Sequence, residues 1–373
     1  NAQGNAPVPQ HVIFTSDHDD TINGDTDNDS GANTAGGGDW NGIDYNQNSS
    51  GTLQHSIVKN AFDCIRIVNS SPVIDNVDLG DCTNYGIDFQ ASASNTRTAN
   101  LSNINIIDFN GNGLSTTLSG IRILSSSSAT TVLNLNNLSI TEPAISSHYG
   151  LYILANGGHI NGTVDTVNIT NPGNDGIHIW NSSSGDIDIS LANLTIDGSP
   201  NNSIEVRDTS IASGLLDTTF GGTNSMTNNS ITSAAIRIEN NHPDFLVSGN
   251  TSIDTAGYGL DLSNSDGNFN NLTMNNTVIA GVSLSNASNP AVFSSVVLTT
   301  AVTPYELVGQ NLTATIIAGY DFSDASVTKS YIRVLGTLLA NMTLTSDPLT
   351  TGSSVWRVPG NITVPSGVTL TVT

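Results

Sequence analysis

Short triplets of apolar–any–apolar residues recur along most of the chain, often just after a glycine. They run Ile65-Arg66-Ile67, Ile87-Asp88-Phe89, Ile121-Arg122-Ile123, Leu151-Tyr152-Ile153 and Ile177-His178-Ile179. The series continues as Ile204-Glu205-Val206, Ile236-Arg237-Ile238, Leu260-Asp261-Leu262 and Val282-Ser283-Leu284. Alternation with period two marks short strands with one buried face. The triplets return every 22–34 residues, an internal repeat of solenoid period. No extended i, i+3, i+4, i+7 pattern competes with them, so helices are not expected.

A second series lies between the triplets: Asn103-Ile104-Asn105-Ile106, Asn137-Leu138-Ser139-Ile140, Thr166-Val167-Asn168-Ile169, Asn193-Leu194-Thr195-Ile196 and Asn271-Leu272-Thr273-Met274. Several repeats therefore supply two strands joined at a corner, and a third, weaker strand closes the coil. Strands this short cannot bury an apolar face alone. Stacked in parallel at about 4.8 Å per coil, they bury a continuous column. Gly and Asn suit the corners, where the backbone turns tightly or left-handed. The expected fold is all-β, a right-handed parallel β-helix over residues 1–300. Over 301–373 the pattern fades, and terminal coils or a small β extension are expected. A β-sandwich is the alternative, but sandwiches do not repeat Gly-Ile-x-Ile at coil period.

Composition narrows the partners. Nine Lys and Arg stand against 32 Asp and Glu, a formal net charge of −23. Such a chain cannot displace counterions from phosphate, which argues against nucleic acid. No apolar run approaches the ~20 residues of a membrane span. The Asn-, Ser-, Thr- and Gly-rich remainder suits an extracellular or cell-surface location. An export signal, if the protein has one, is expected outside this segment. Cys64 and Cys82 lie 18 residues apart, either as a disulfide or as two buried thiols.

The stretch Phe62-Asp63-Cys64-Ile65-Arg66-Ile67-Val68-Asn69-Ser70-Ser71-Pro72-Val73-Ile74, followed by Tyr85-Gly86-Ile87, resembles the parallel β-helix repeats of pectate-lyase-like proteins. Val12-Ile13-Phe14-Thr15-Ser16-Asp17 and Gly38-Asp39-Trp40-Asn41-Gly42-Ile43 resemble the opening of such modules in large bacterial extracellular proteins. The final segment from Trp356 to Val372 is similar to the start of a module, which in that family precedes an Asn-Ala-Gln-Gly-like stretch. The resemblance implies a structural module of a fibre, adhesin or surface layer, joined head to tail to its neighbours. The alternative is a β-helix that binds or cleaves carbohydrate.

Chemistry is sparse. The loop over 16–39 carries Asp17, Asp19, Asp20, Asp25, Asp27, Asp29 and Asp39. Alternating carboxylates on a Gly-bearing turn suit Ca²⁺, which takes six to eight oxygens. It is not an EF-hand: the twelfth position of its Asp25 loop is Gly36. The alternative is a solvated acidic loop. The middle residues of the triplets form a column expected to face solvent, as a ladder of cross-strand charge pairs. As a saccharide-binding face it would use Arg122, Tyr152, His178, Trp180, Glu205 and Arg237. Asn174-Asp175-Gly176-Ile177 faintly resembles a pectin hydrolase motif, yet it is also what any coil corner looks like. The His-containing Gly pair and Arg-x-Lys clamp of those enzymes are missing, and no Gly-x-Ser-x-Gly elbow appears. An enzyme is therefore not the favoured reading. His148, His159 and His178 read as surface residues. Sequons at Asn100, Asn137, Asn168, Asn193, Asn271, Asn311, Asn341 and Asn361 mark either glycosylation sites or corner asparagines.

Overall fold

A computed structural model describes the chain except at residues 1–10, 23, 26, 29, 32–33, 93, 108–118, 143–147, 210–215, 241–244, 287, 289–291, 299–304, 309–319, 322–330 and 345–354. Among the described residues there is no helix, and 26 strands join one long sheet. Each strand pairs in parallel with its counterpart one coil away. Ile65 lies against Ile87, Ile87 against Ile121, Ile121 against Leu151, and Leu151 against Ile177. The same column runs on through Ile204, Ile236, Leu260 and Val282. All nine side chains are fully buried. Burial of each stabilises by about 1.5–3 kcal/mol. This is a parallel β-solenoid in which each coil pairs its strands with the adjacent coils.

The second series forms a second inner column, Ile104–Leu138–Val167–Leu194. Just before each of these residues the strand bends through one residue of positive φ: Asn103 (52°), Asn137 (54°), Thr166 (55°) and Asn193 (54°). Asparagine tolerates this left-handed conformation because its short amide finds local partners. Here the partner is the next coil: Asn137 Nδ2 donates to Asn103 Oδ1 at 2.7 Å. Thr166 interrupts the series with a β-branched side chain that resists positive φ. Thr166→Asn is therefore expected to stabilise by roughly 1 kcal/mol. Urea denaturation would show it as a higher midpoint, and an unchanged or lower midpoint would contradict the reading.

The glycines before the triplets have a different task. A Cβ on Gly86, Gly120, Gly150 or Gly176 would sit 2.6–2.9 Å from a backbone carbonyl oxygen of the next coil. The Gly-Ile-x-Ile motif thus records a close backbone approach between coils. Farther along, Phe220, Phe245 and Phe269 stack inside the core with centroids 5.0 and 5.6 Å apart. A disulfide joins the buried Cys64 and Cys82.

The stack continues past residue 300. Tyr305–Val308 pairs with the end of Asn268–Ser285, Tyr331–Thr337 pairs with Tyr305–Val308, and Val355–Arg357 follows. Met342–Leu344 and Leu370–Val372 form a separate two-stranded sheet.

Candidate functional site

The middle residues of the triplets stand in one register: Arg66, Asp88, Arg122, Tyr152, His178, Glu205, Arg237, Asp261 and Ser283 are successive partners. The expectation that they face open solvent is corrected. Asp88, Tyr152, His178, Glu205 and Ser283 are buried. Strand stacking sets these side chains only about 4.8 Å apart, so each covers the next. Further rings lie over them. Tyr149 stacks on Tyr152 with centroids 5.0 Å apart and lies 4.8 Å from the His178 ring. Trp180 meets His178 edge-on at 6.3 Å, and its indole N–H donates to Thr209 Oγ1 at 2.7 Å. Arg207 lies over the Trp180 ring at 5.6 Å.

Two charged knots punctuate this face. In the first, Arg122 grips Asp88 with two bonds, Nε to Oδ1 and Nη2 to Oδ2, each 2.8 Å. Its guanidinium also sits 4.3 Å from the Tyr85 ring centre. Burial opposes the Arg122 charge, but the hydrogen bonds and charge of Asp88 outweigh it and raise its pKa.

The second knot centres on His178. Its Nδ1 lies 2.8 Å from Asp175 Oδ2 and 3.7 Å from Glu205 Oε2. Asn202 holds both acids: its Nδ2 donates to Asp175 Oδ1 at 3.2 Å and to Glu205 Oε2 at 3.1 Å. Its backbone N–H adds a bond to Asp175 Oδ1 at 2.9 Å. Burial first, and then the neighbouring Asp175 carboxylate, push the Glu205 carboxyl upward. Burial and the same two acids push the Tyr149 phenol up to about 12. Of the six residues predicted for a saccharide face, Tyr152, His178, Trp180 and Glu205 meet here, while Arg122 belongs to the first knot. Arg237 instead reaches toward Glu239, at 3.8 Å. Sequence reasoning weighed Asp175 only as a corner residue or part of a faint hydrolase motif, and did not single out Asn202 or Tyr149. The available signal was an acid three residues before His178, hidden in a turn that any corner could show.

The acidic loop divides its carboxylates. Asp20, Asp25 and Asp27 bring ligand atoms within 4.8 Å of one another. Asp19 turns inward to Lys59 at 2.6 Å and accepts from Thr15 and Thr21. Burial opposes its charge, yet those bonds prevail and hold its carboxyl at about 2. Asp39 accepts from the Gly36 N–H at 2.9 Å and lies 3.9 Å from His18; Asp17 lies at the same distance from that ring. Asp29 falls outside the described residues.

The histidines also need correcting, since His148 and His178 are buried rather than on the surface. Burial lowers the His148 pKa from 6.5 to about 4. Above pH 6.5 the ring is neutral whether folded or unfolded. Between 6.5 and 4 only the unfolded chain takes up the proton, so stability falls with pH, by up to roughly 3 kcal/mol. His148→Gln is expected to lose less stability than the native chain between pH 7 and 4 in urea melts. Parallel losses would contradict this.

Among the sequons, Asn137 and Asn193 are bound into the corner: Asn193 Nδ2 donates to Asp165 Oδ1 at 2.7 Å. Asn100 Oδ1 accepts from Asn134, and Asn341 Oδ1 from the Thr369 N–H. Asn168, Asn271 and Asn361 are exposed, and Asn311 lies outside the described residues. Comparison with family models, with curated proteins and with solved structures found no match for this chain.

Proposed function

We propose that the chain is a right-handed β-helical rod module of an extracellular fibre, adhesin or surface layer, assembling through its ends. One observation carries the reading. Exposed large apolar side chains lie at both ends of the stack, Val12 and Ile13 at one and Leu339, Val358, Val364 and Val372 at the other, while Phe62, Val73, Ile107, Ile231 and Val278 are exposed singly along its length. Beside them are strands paired on one side only among the described residues: Val12–Phe14 with Thr52–Lys59, and Leu370–Val372 with Met342–Leu344. Apolar surface next to an open strand edge favours addition of a further strand. Such a contact, repeated head to tail without closing, builds a filament. The disulfide fits an oxidising compartment. Sedimentation velocity tests the reading: species should grow with concentration, and Val12→Lys should abolish growth. A single-chain species at every concentration would overturn it.

In this reading Ca²⁺ joins Asp20, Asp25 and Asp27 and relieves their mutual repulsion. Millimolar calcium is expected to raise the melting temperature by several degrees, and less so in Asp25→Asn. No shift would remove the metal from the account. A second reading, polysaccharide binding, is favoured by one groove lined with Asn100, Ser102, Asn134, Asn136, Thr163 and Asp165. Its amides and hydroxyls suit an uncharged glycan, and glycan-array binding lost in Asn134→Leu would support it.

A further inference from the structure

Two groups among the described residues bring three ligating side chains within 4.8 Å of one another. One is the acidic loop. The other, Asp175, His178 and Glu205, differs in kind. It is buried at every member, and it includes an imidazole. We propose that Asp175, His178 and Glu205 form a binding site for one transition-metal ion of the zinc class.

The geometry is close to what such an ion requires. Tetrahedral bonds of about 2.0–2.1 Å place neighbouring donor atoms roughly 3.3 Å apart. The observed separations from His178 Nδ1, 2.8 Å to Asp175 and 3.7 Å to Glu205, bracket that value. Asn202 already fixes the rotation of both carboxylates through its side-chain amide. This is how outer hydrogen bonds orient metal ligands.

The electrostatics point the same way. Two carboxylates are buried together, and among the described residues no lysine or arginine forms an ion pair with either. Arg207, on the Glu205 strand, and Arg237, one coil on, both turn to Glu239, at 3.4 and 3.8 Å. A buried cluster with excess negative charge gains from a cation. The donor set selects its class. Calcium wants six to eight oxygens, whereas this site offers two carboxylates and a nitrogen. Asn202 does not add to them, since it turns Nδ2 toward both carboxylates and its Oδ1 accepts instead from the Ala234 N–H at 3.1 Å. The ion replaces the hydrogen bond between His178 Nδ1 and Asp175, and the displaced proton leaves to solvent.

The test uses the full chain stripped with a chelator and then held in excess calcium, which occupies the acidic loop. Zinc is titrated calorimetrically, and cobalt is added separately as a spectroscopic probe. One zinc per chain is expected, with the visible bands of tetrahedral cobalt. Glu205→Gln and His178→Gln should each weaken zinc binding at least tenfold. His18→Asn, which removes the only histidine of the acidic loop, should leave it unchanged. Circular dichroism checks that each variant folds, and the cobalt spectrum of the native chain stands without any variant. Absent zinc binding, octahedral cobalt alone, or binding that survives both site variants would overturn the proposal. So would binding lost in His18→Asn.

Discussion

Gly150→Val is expected to destabilise the chain by about 4 kcal/mol or more, enough to unfold its central coils at ambient temperature. The warrant is geometric. A Cβ at Gly150 would lie 2.7 Å from the Gly176 carbonyl oxygen and 2.7 Å from Ile169 Cγ2. The first contact is backbone in the next coil, fixed by the parallel ladder between Tyr149–Asn156 and Ile177–Asn181. It cannot move without breaking hydrogen bonds along the axis. The second is the end of a fully buried isoleucine whose column has no slack. Alanine should already cost about 2–3 kcal/mol, and valine adds two methyls to the same clash. Gly360 provides the control, because nothing lies within 4 Å of the atom that alanine would add there. Gly360→Ala should stay within about 0.5 kcal/mol of the native chain. Urea denaturation followed by far-UV circular dichroism reads both. A Gly150→Val midpoint near the native one would mean that the coils do not approach as described.

Arg122→Met is expected to cost about 3–5 kcal/mol, and for a different reason. Asp88 is 1% exposed and accepts two bonds from Arg122, its ion-pair partner, and one from Gln90 Nε2 at 2.6 Å. Removing the guanidinium leaves a carboxylate buried without a cation, and the methionine cannot supply a donor. The stacking on Tyr85 is lost as well. Replacing both partners with apolar residues removes the orphaned charge. The double variant Arg122→Met with Asp88→Leu should therefore recover most of the loss. A double variant as unstable as the single one would show that packing, not the buried charge, dominates. A single variant within 1 kcal/mol of native would show that this face is wetter than its burial implies.

These two positions also show what the chain's text reveals. Gly150 is legible as the first letter of Gly-Leu-Tyr-Ile, because the repeat demands the same backbone approach in every coil. The register of the column is legible too, since period-two strands at coil spacing leave one way to stack Ile121, Leu151 and Ile177. Its burial is not. Whether Tyr152 or His178 meets water depends on which rings lie across them, and Tyr149 sits at a position before the glycine that Ser119 fills in the preceding coil, so the repeat does not specify a ring there. Asp175 was hidden for a related reason: Asn-Asp-Gly is good corner chemistry whatever else it does. In the acidic loop the carboxylates can be counted, but Asp19 is claimed by Lys59, forty residues away and brought near only by folding. Local pattern therefore specifies the rod, while its charged knots depend on contacts between coils.

The account centres on a rod that continues through its ends, and electron microscopy of the assembled protein tests that most directly. Images should show unbranched filaments, with strands stacked at about 4.8 Å along the axis and one chain per longer repeat. Discrete single-chain particles at every concentration, with no axial repeat, would contradict it.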